Sequence, residues 1–215
     1  MATTIQPSNP GVNAVDDDVG SEAWEATKWH SFLEKEVDDT RQVFLRKPKF
    51  LLSHVRGERQ IAHDYAGREL LELLQNAADA AAEIGGNGRV RIEIARDGLL
   101  VANSGQPFRS GGVQSLMTPH ASDKPGRKAM MIGAKGLGFR SLLNWSHEPV
   151  ISSGALEIVF SVPHATSIIA GLKTENAGIA RLADKEEEPL VPVLAFPAFS
   201  TALDSIGGAS AQLLL

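Results

Sequence analysis

Glu72, Asn76 and Asp79 stand at i, i+4 and i+7 in the alanine- and leucine-rich segment ELLQNAADA. On a helix those offsets place an acid, an amide and a second acid along one stripe. Asn and Asp are poor choices inside a helix, and solvated faces usually carry Lys and Glu instead. Leu71, Leu74, Ala78 and Ala82 fall on a different stripe, which is expected to pack on a sheet. Taken alone, a solvated polar face is the better reading of so short a pattern.

A second feature is VANSGQPF, residues Val101 to Phe108, at the end of an apolar run. It reads either as a polar turn closed by Gly105 or as a ligand contact. In the second case Asn103 aims a side-chain carbonyl at a base amino group and Gly105 lets the backbone come close. The third feature is IGAKGLGFRS, in which Gly133, Gly136 and Gly138 form G-x-x-G-x-G before a helical stretch. Backbone N–H groups at such a helix start bind phosphate oxygens. The spacing is neither that of a dinucleotide fingerprint nor that of the G-x-x-x-x-G-K-[ST] phosphate loop.

These residues must be held by a domain of moderate size. The chain has 215 residues, 43% of them hydrophobic and 22% charged, and a formal net charge of −5. Such mild acidity gives no reason to expect nucleic-acid or membrane binding. Cysteine is absent, which excludes disulfides and thiolate metal sites and fits a reducing cytoplasm. The first 20 residues lack the basic and apolar regions of a secretory signal. No apolar run reaches the roughly 20 residues of a membrane-spanning helix. A cytoplasmic protein is expected.

Residues 1–20, rich in Pro, Gly, Asn and Asp, read as a disordered leader. Helices are expected over Ser21–Lys47 and Gly67–Ile84, the second stopped by Gly85-Gly86. A hairpin follows, Arg89–Ala95 and Leu99–Ala102 about the Asp97-Gly98 turn. Then come a loop from Asn103 to Gly112, a short helix at Val113–Met117, and a Pro/Gly/Lys-rich stretch from Thr118 to Lys128. Gly133–Trp145 reads as a loop opening a helix, and Pro149–Ser153 and Leu156–Val162 read as strands. Beyond Pro163 the pattern weakens to a helix at Ser167–Leu172 and a strand at Pro189–Phe196. Residues 201–215 show no periodicity and read as an irregular or truncated tail. The main domain is thus expected over residues 21–200, an α+β sandwich with a sheet covered by helices on one face.

Taken together and in this order, the three features resemble the GHKL ATPase superfamily of gyrase, Hsp-type chaperones, histidine kinases and MutL. Glu72 to Asp79 matches its E-x-x-x-N-x-x-D hallmark. DYAGRELLELLQNAADAA, NSGQPF, SDK and GAKGLGFRSLL look most like its sacsin-type, chaperone-like branch. The resemblance covers about Phe50 to Val162. It implies a Bergerat ATP-binding fold, a two-layer sandwich of a mixed sheet and helices, with ATP under a mobile lid.

The resemblance also implies roles. Asn76 would be the Mg²⁺ ligand, Glu72 the residue that activates or orients the attacking water, and Asp79 a support for Asn76 or water. Gly133, Gly136 and Gly138 would give phosphate-binding amides, with Lys135 an added cation. Ser122 and Lys124 look like a Ser-x-Lys segment of the lid. Asn103 departs from the family's usual Asp, and Pro107 replaces its second Gly. An Asn still accepts a hydrogen bond from an adenine amino group but brings no charge.

Two functions follow. One is slow Mg²⁺-dependent ATP hydrolysis coupled to conformational change in a chaperone-like or defence-associated protein. Its site would be completed by a basic residue from a further domain or partner. The other is a non-enzymatic interaction module with a degenerate or structural nucleotide pocket. A histidine kinase is a distant third, since His63 lacks a dimerisation-helix context. The six His residues show no metal-ligand spacing with acids. Trp24, Trp29 and Trp145 read as core or cap residues, and Lys185–Glu188 as solvated surface.

Overall fold

The computed structural model describes residues 20–95, 98–118, 138–200 and 211–214. A 3₁₀ turn, η1 (Ser21–Ala23), leads into α1 (Ala26–Arg46) and α2 (Pro48–Asp64). These are followed by α3 (Glu69–Glu83), β1 (Val90–Ala95), β2 (Gly98–Asn103) and α4 (Ser110–Met117). After the undescribed residues 119–137 come the 3₁₀ segment η2 (Gly138–Asn144), β3 (Val150–Ser153) and β4 (Leu156–Phe160). The chain continues through α5 (Val162–Glu175), α6 (Ala177–Ala183), η3 (Val193–Ala195), β5 (Pro197–Phe199) and β6 (Ala211–Leu214).

The six strands among the described residues form one sheet in the order β1-β2-β6-β3-β4-β5. Every described ladder is antiparallel, where a mixed sheet was expected. The fold is therefore α and β with an antiparallel sheet. The tail expected to be irregular supplies β6, which pairs with both β2 and β3 in the middle of the sheet. Pairing on both edges fixes a segment whose own composition carries no strand signal, because sheet position outweighs intrinsic propensity.

Two apolar clusters support this frame. The first joins Trp29 and Leu33 of α1, Leu73 of α3, Val101 of β2, Leu142 of η2 and the inward face of β4, Leu156, Ile158 and Phe160. Alternation puts those three β4 residues on one side, as a period of two requires. The second cluster is helical. Phe44 of α1 meets Leu51 and Val55 of α2, Ile169 and Leu172 of α5, Ile179 of α6, and Phe196.

Several element ends follow from local chemistry. Pro48 opens α2, where its missing N–H is harmless. α3 stops at Gly85 and Gly86, whose φ values of 98° and 88° only glycine adopts at little cost. Asn176 caps α6 by accepting the Gly178 N–H at 2.7 Å. The expected Pro189–Phe196 strand is replaced by η3, with the strand shifted to Pro197–Phe199. None of the described helices is long and apolar enough to cross a membrane.

Candidate functional site

The stripe expected to pack on the sheet is the one turned outward. Leu71 is 48% exposed, and Ala78 and Ala82 are exposed as well. α3 instead buries Glu69, Glu72, Leu73, Ala77 and Asp79. The reason lies in its neighbours. A Cβ on Gly105 would stand 2.6 Å from the carbonyl carbon of Ala80, and one on Gly88 would stand 2.3 Å from the Ala81 Cβ. Small residues on both sides let the segments that enter and leave the hairpin, both at its open end, lie directly on the helix. The Gln106 N–H completes that contact by donating to the Ala80 carbonyl at 2.8 Å. The space that Gly105 leaves is thus filled by helix backbone.

Asn76 breaks the pattern. By the helical period it falls between Glu72 and Leu73 on the circumference, in the middle of the buried stripe. Its side chain is nevertheless exposed, while Glu72 and Asp79 on either side of it are each only 7% exposed. The buried face of α3 therefore opens over Asn76, with a carboxylate one turn before it and another three residues after it. No hydrogen bond ties the Asn76 amide to another described residue.

Glu72 receives the guanidinium of Arg68, one turn earlier, at 3.3 Å. It also lies beneath the start of η2. A Cβ on Gly138 would fall 2.1 Å from Glu72 Oε2 and 2.6 Å from its Cβ. The last glycine of the G-x-x-G-x-G run thus rests on the first acid of the E-x-x-x-N-x-x-D stripe. Gly133, Lys135 and Gly136, with Ser122 and Lys124, lie outside the described residues. Asn103 ends β2, opposite Val90 on one side and Ala211 on the other, and is half-buried.

η2 is a seven-residue 3₁₀ segment where a longer helix was expected, and it is anchored at both ends. Asn144 donates to the Ala62 carbonyl at 2.9 Å and to Glu69 Oε1 at 3.2 Å. Glu69 is buried, which alone would push its carboxyl up. The N–H groups of Glu69 and Gly67 and the Asn144 amide outweigh that and hold it below its ordinary value. Arg140, 1% exposed, donates to the carbonyls of Ser115 and Leu116 at the end of α4 at 3.1 and 3.0 Å. Those carbonyls lack partners within their own helix.

Glu58, on α2, is a further buried acid. It is 4% exposed, and its two oxygens accept the N–H groups of Val193 and Leu194, each at 3.0 Å. Burial pushes its carboxyl up to about 7, against those two hydrogen bonds and the charges of Arg140 and Arg59. Burial pushes the Arg140 guanidinium below its ordinary value, and Glu58 partly restores it. An open depression of about 320 Å³ lies beside Glu58, His63, Ala66 and Asn144. It does not include Glu72, Asn76 or Asp79.

Sequence reasoning missed Glu58, Glu69, Arg140 and Asn144. Only Arg140 carried a signal, the lone charged residue within GFRSLL. Among the described residues no cluster of three or more His, Asp or Glu side chains is arranged to hold a metal ion. The exposed amide of Asn76 stands between the two buried carboxylates of Glu72 and Asp79 along α3. No family model, curated protein or solved structure matches the chain.

Proposed function

We propose that the chain is an ATP-binding module of the GHKL type, with a Bergerat two-layer architecture and slow Mg²⁺-dependent hydrolysis. The observation that carries this is the opening over Asn76 in an otherwise buried helix face, flanked by Glu72 and Asp79. A solvated polar face would leave all three exposed, yet both acids are buried. The seat of Gly138 on Glu72 supports the same reading, because it joins the glycine run to the polar stripe.

In this reading Asn76 holds Mg²⁺ through its amide oxygen, a neutral hard ligand that fits an ion sharing its shell with waters and phosphates. Bound Mg²⁺ would neutralise charge on the transferring phosphoryl group. Glu72 orients the attacking water and Asp79 supports Asn76. Asn103 accepts from the adenine amino group at the end of β2. Gly133, Gly136 and Gly138 would donate backbone N–H groups to phosphate oxygens, with Lys135 an added cation and Ser122 and Lys124 belonging to the Ser-x-Lys segment of the lid. A basic residue from a further domain or partner completes the site, and its absence lowers the rate by roughly 10³-fold or more. Turnover by this chain alone is expected well below the common enzyme value of about 10 s⁻¹.

A second reading rests on the Arg68–Glu72 ion pair, which gives Glu72 a structural use. The pocket would then bind nucleotide without turnover, as an interaction module. Melting curves with ATP or ADP and Mg²⁺, alongside turnover assays of Glu72→Gln, separate the two. Ligand at about 100 times Kd stabilises the folded state by about 2.7 kcal/mol. Stabilisation with turnover lost in Glu72→Gln supports the enzyme. Stabilisation without turnover in either protein supports the binder. No stabilisation by either nucleotide overturns both.

A further inference from the structure

Among the described residues β1 is the outermost strand of the sheet, and its outer edge is apolar, exposed and unpaired. Val90 is 43% exposed, Ile92 44% and Ile94 86%, and Arg91 and Glu93 between them are exposed too. An uncovered apolar strand edge is a template for another strand, and proteins usually blunt it with repelling charge, proline or a bulge. Among the described residues β1 carries no proline and no bulge, only the charges of Arg91 and Glu93. Its two charges have opposite sign and form an ion pair with each other.

The hydrogen-bonding phase of the edge is fixed. The Ser104 N–H donates to the Arg89 carbonyl at 3.0 Å, so Arg89 and Ser104 form a hydrogen-bonded pair. In an antiparallel ladder such pairs alternate with non-bonded ones. Arg91 and Glu93, opposite Ala102 and Leu100, therefore direct their N–H and C=O groups towards β2. Val90, Ile92 and Ile94 direct theirs outward, along the edge that no described residue pairs with.

We infer that β1 is a homodimer edge, pairing antiparallel with β1 of a second copy about a two-fold axis at Ile92. This inference is independent of the nucleotide reading. In that register Ile92 meets its own counterpart, and Val90 meets Ile94 of the second copy. Each of these outward-facing residues both donates and accepts a backbone hydrogen bond. Arg91 then faces Glu93 of the second copy, and Glu93 faces its Arg91. These charges occupy non-bonded positions, where opposed side chains stand closest. Moving the axis to Arg91 sets Arg against Arg, and moving it to Glu93 sets Glu against Glu. Charge thus selects one register and one occupant, since an isologous interface must complement itself. Val90, Ile92 and Ile94 lie on the same face as Leu99 and Val101, so pairing would extend that apolar face across the axis. The contact is short, at the low end of interface sizes, and corresponds to a weak dimer.

The full chain is measured by sedimentation equilibrium from about 1 µM to about 500 µM, a range that spans weak dimers. The expected result is a concentration-dependent rise in mass towards twice the monomer value. Arg91→Glu and Glu93→Arg should each raise the dissociation constant about tenfold or more, by turning both cross-axis pairs into repulsions. The double variant Arg91→Glu/Glu93→Arg should return it to near the wild-type value. Circular dichroism checks the fold of each variant, and both positions are exposed. A wild type that stays monomeric throughout would overturn the inference. Single reversals that leave association unchanged, or a double variant no better than the singles, would also overturn it.

Discussion

Gly105→Ala should destabilise this protein although alanine suits the backbone there. Gly105 is not among the positive-φ glycines, so the added methyl group meets a problem of space alone. Its Cβ would lie 2.6 Å from both the carbonyl carbon and the Cβ of Ala80, and 2.8 Å from the Ala81 nitrogen. These are helix atoms that cannot swing aside. Restoring ordinary contact requires the loop to retreat by about 1 Å, which stretches the 2.8 Å Gln106–Ala80 hydrogen bond beyond bonding distance. Overpacking costs about 1–3 kcal/mol and the lost bond about 1 kcal/mol. The stiffer unfolded chain returns about 0.4–1 kcal/mol. The net loss is about 1–3 kcal/mol, a fall in Tm of roughly 3–10 °C for a chain of this size. Urea unfolding of the two proteins measures it. A variant within about 0.5 kcal/mol of wild type would refute the close packing of this loop on α3.

Other substitutions probe different supports. Gly171→Ala lies in α5 with nothing within 4 Å of its Cβ, so urea unfolding should show a gain of about 0.5–1 kcal/mol. Gly138→Ala should displace the Glu72 side chain, lowering stability by about 1–3 kcal/mol and weakening any nucleotide-dependent rise in Tm. Arg140→Ala removes the donor to the Ser115 and Leu116 carbonyls and a cation facing Glu58, and should cost about 3–5 kcal/mol in the same assay. Glu58 gives a pH dependence. Its folded value of about 7 exceeds the ordinary 4.5, so the folded protein binds this proton more tightly. The stability it contributes is complete below about pH 4.5 and is lost as pH rises through about 7, up to about 3 kcal/mol in all. Unfolding free energies of wild type and Glu58→Gln between those limits should therefore show a steeper decline with pH in the wild type.

The sequence made α3 and the hairpin legible because their signals are local. Gly85-Gly86 marks the helix end through backbone freedom, and β-branched alternation marks β1. The side of α3 that turns inward was misread, because apolar count favoured the Leu71, Leu74, Ala78 and Ala82 stripe. What decides its orientation is non-local. Alanines at 80 and 81 admit Gly105 and Gly88, and Glu72 fits under Gly138. β6 was illegible for a related reason, since its strand state comes from partners on both sides rather than from Ala211–Leu214. α2 went unread because Gly57 and several charges interrupt its apolar period, yet Leu51, Val55 and Ile61 pack fully. In the candidate site, the stripe and its spacing were visible. The anchors that hold its surroundings, Glu69, Asn144 and Arg140, meet only across more than 20 residues of chain.

Calorimetric titration of ATP into the purified chain, with Mg²⁺ and with a chelator, on wild type and Asn76→Ala, decides whether the α3 stripe serves a Mg²⁺-nucleotide. Saturable binding to wild type, tighter with Mg²⁺, is expected. Asn76→Ala, altered at an exposed side chain and still folded, should lose the Mg²⁺-dependent part. Absence of ATP binding to folded wild type, or an equal Mg²⁺ effect in both proteins, would contradict that role.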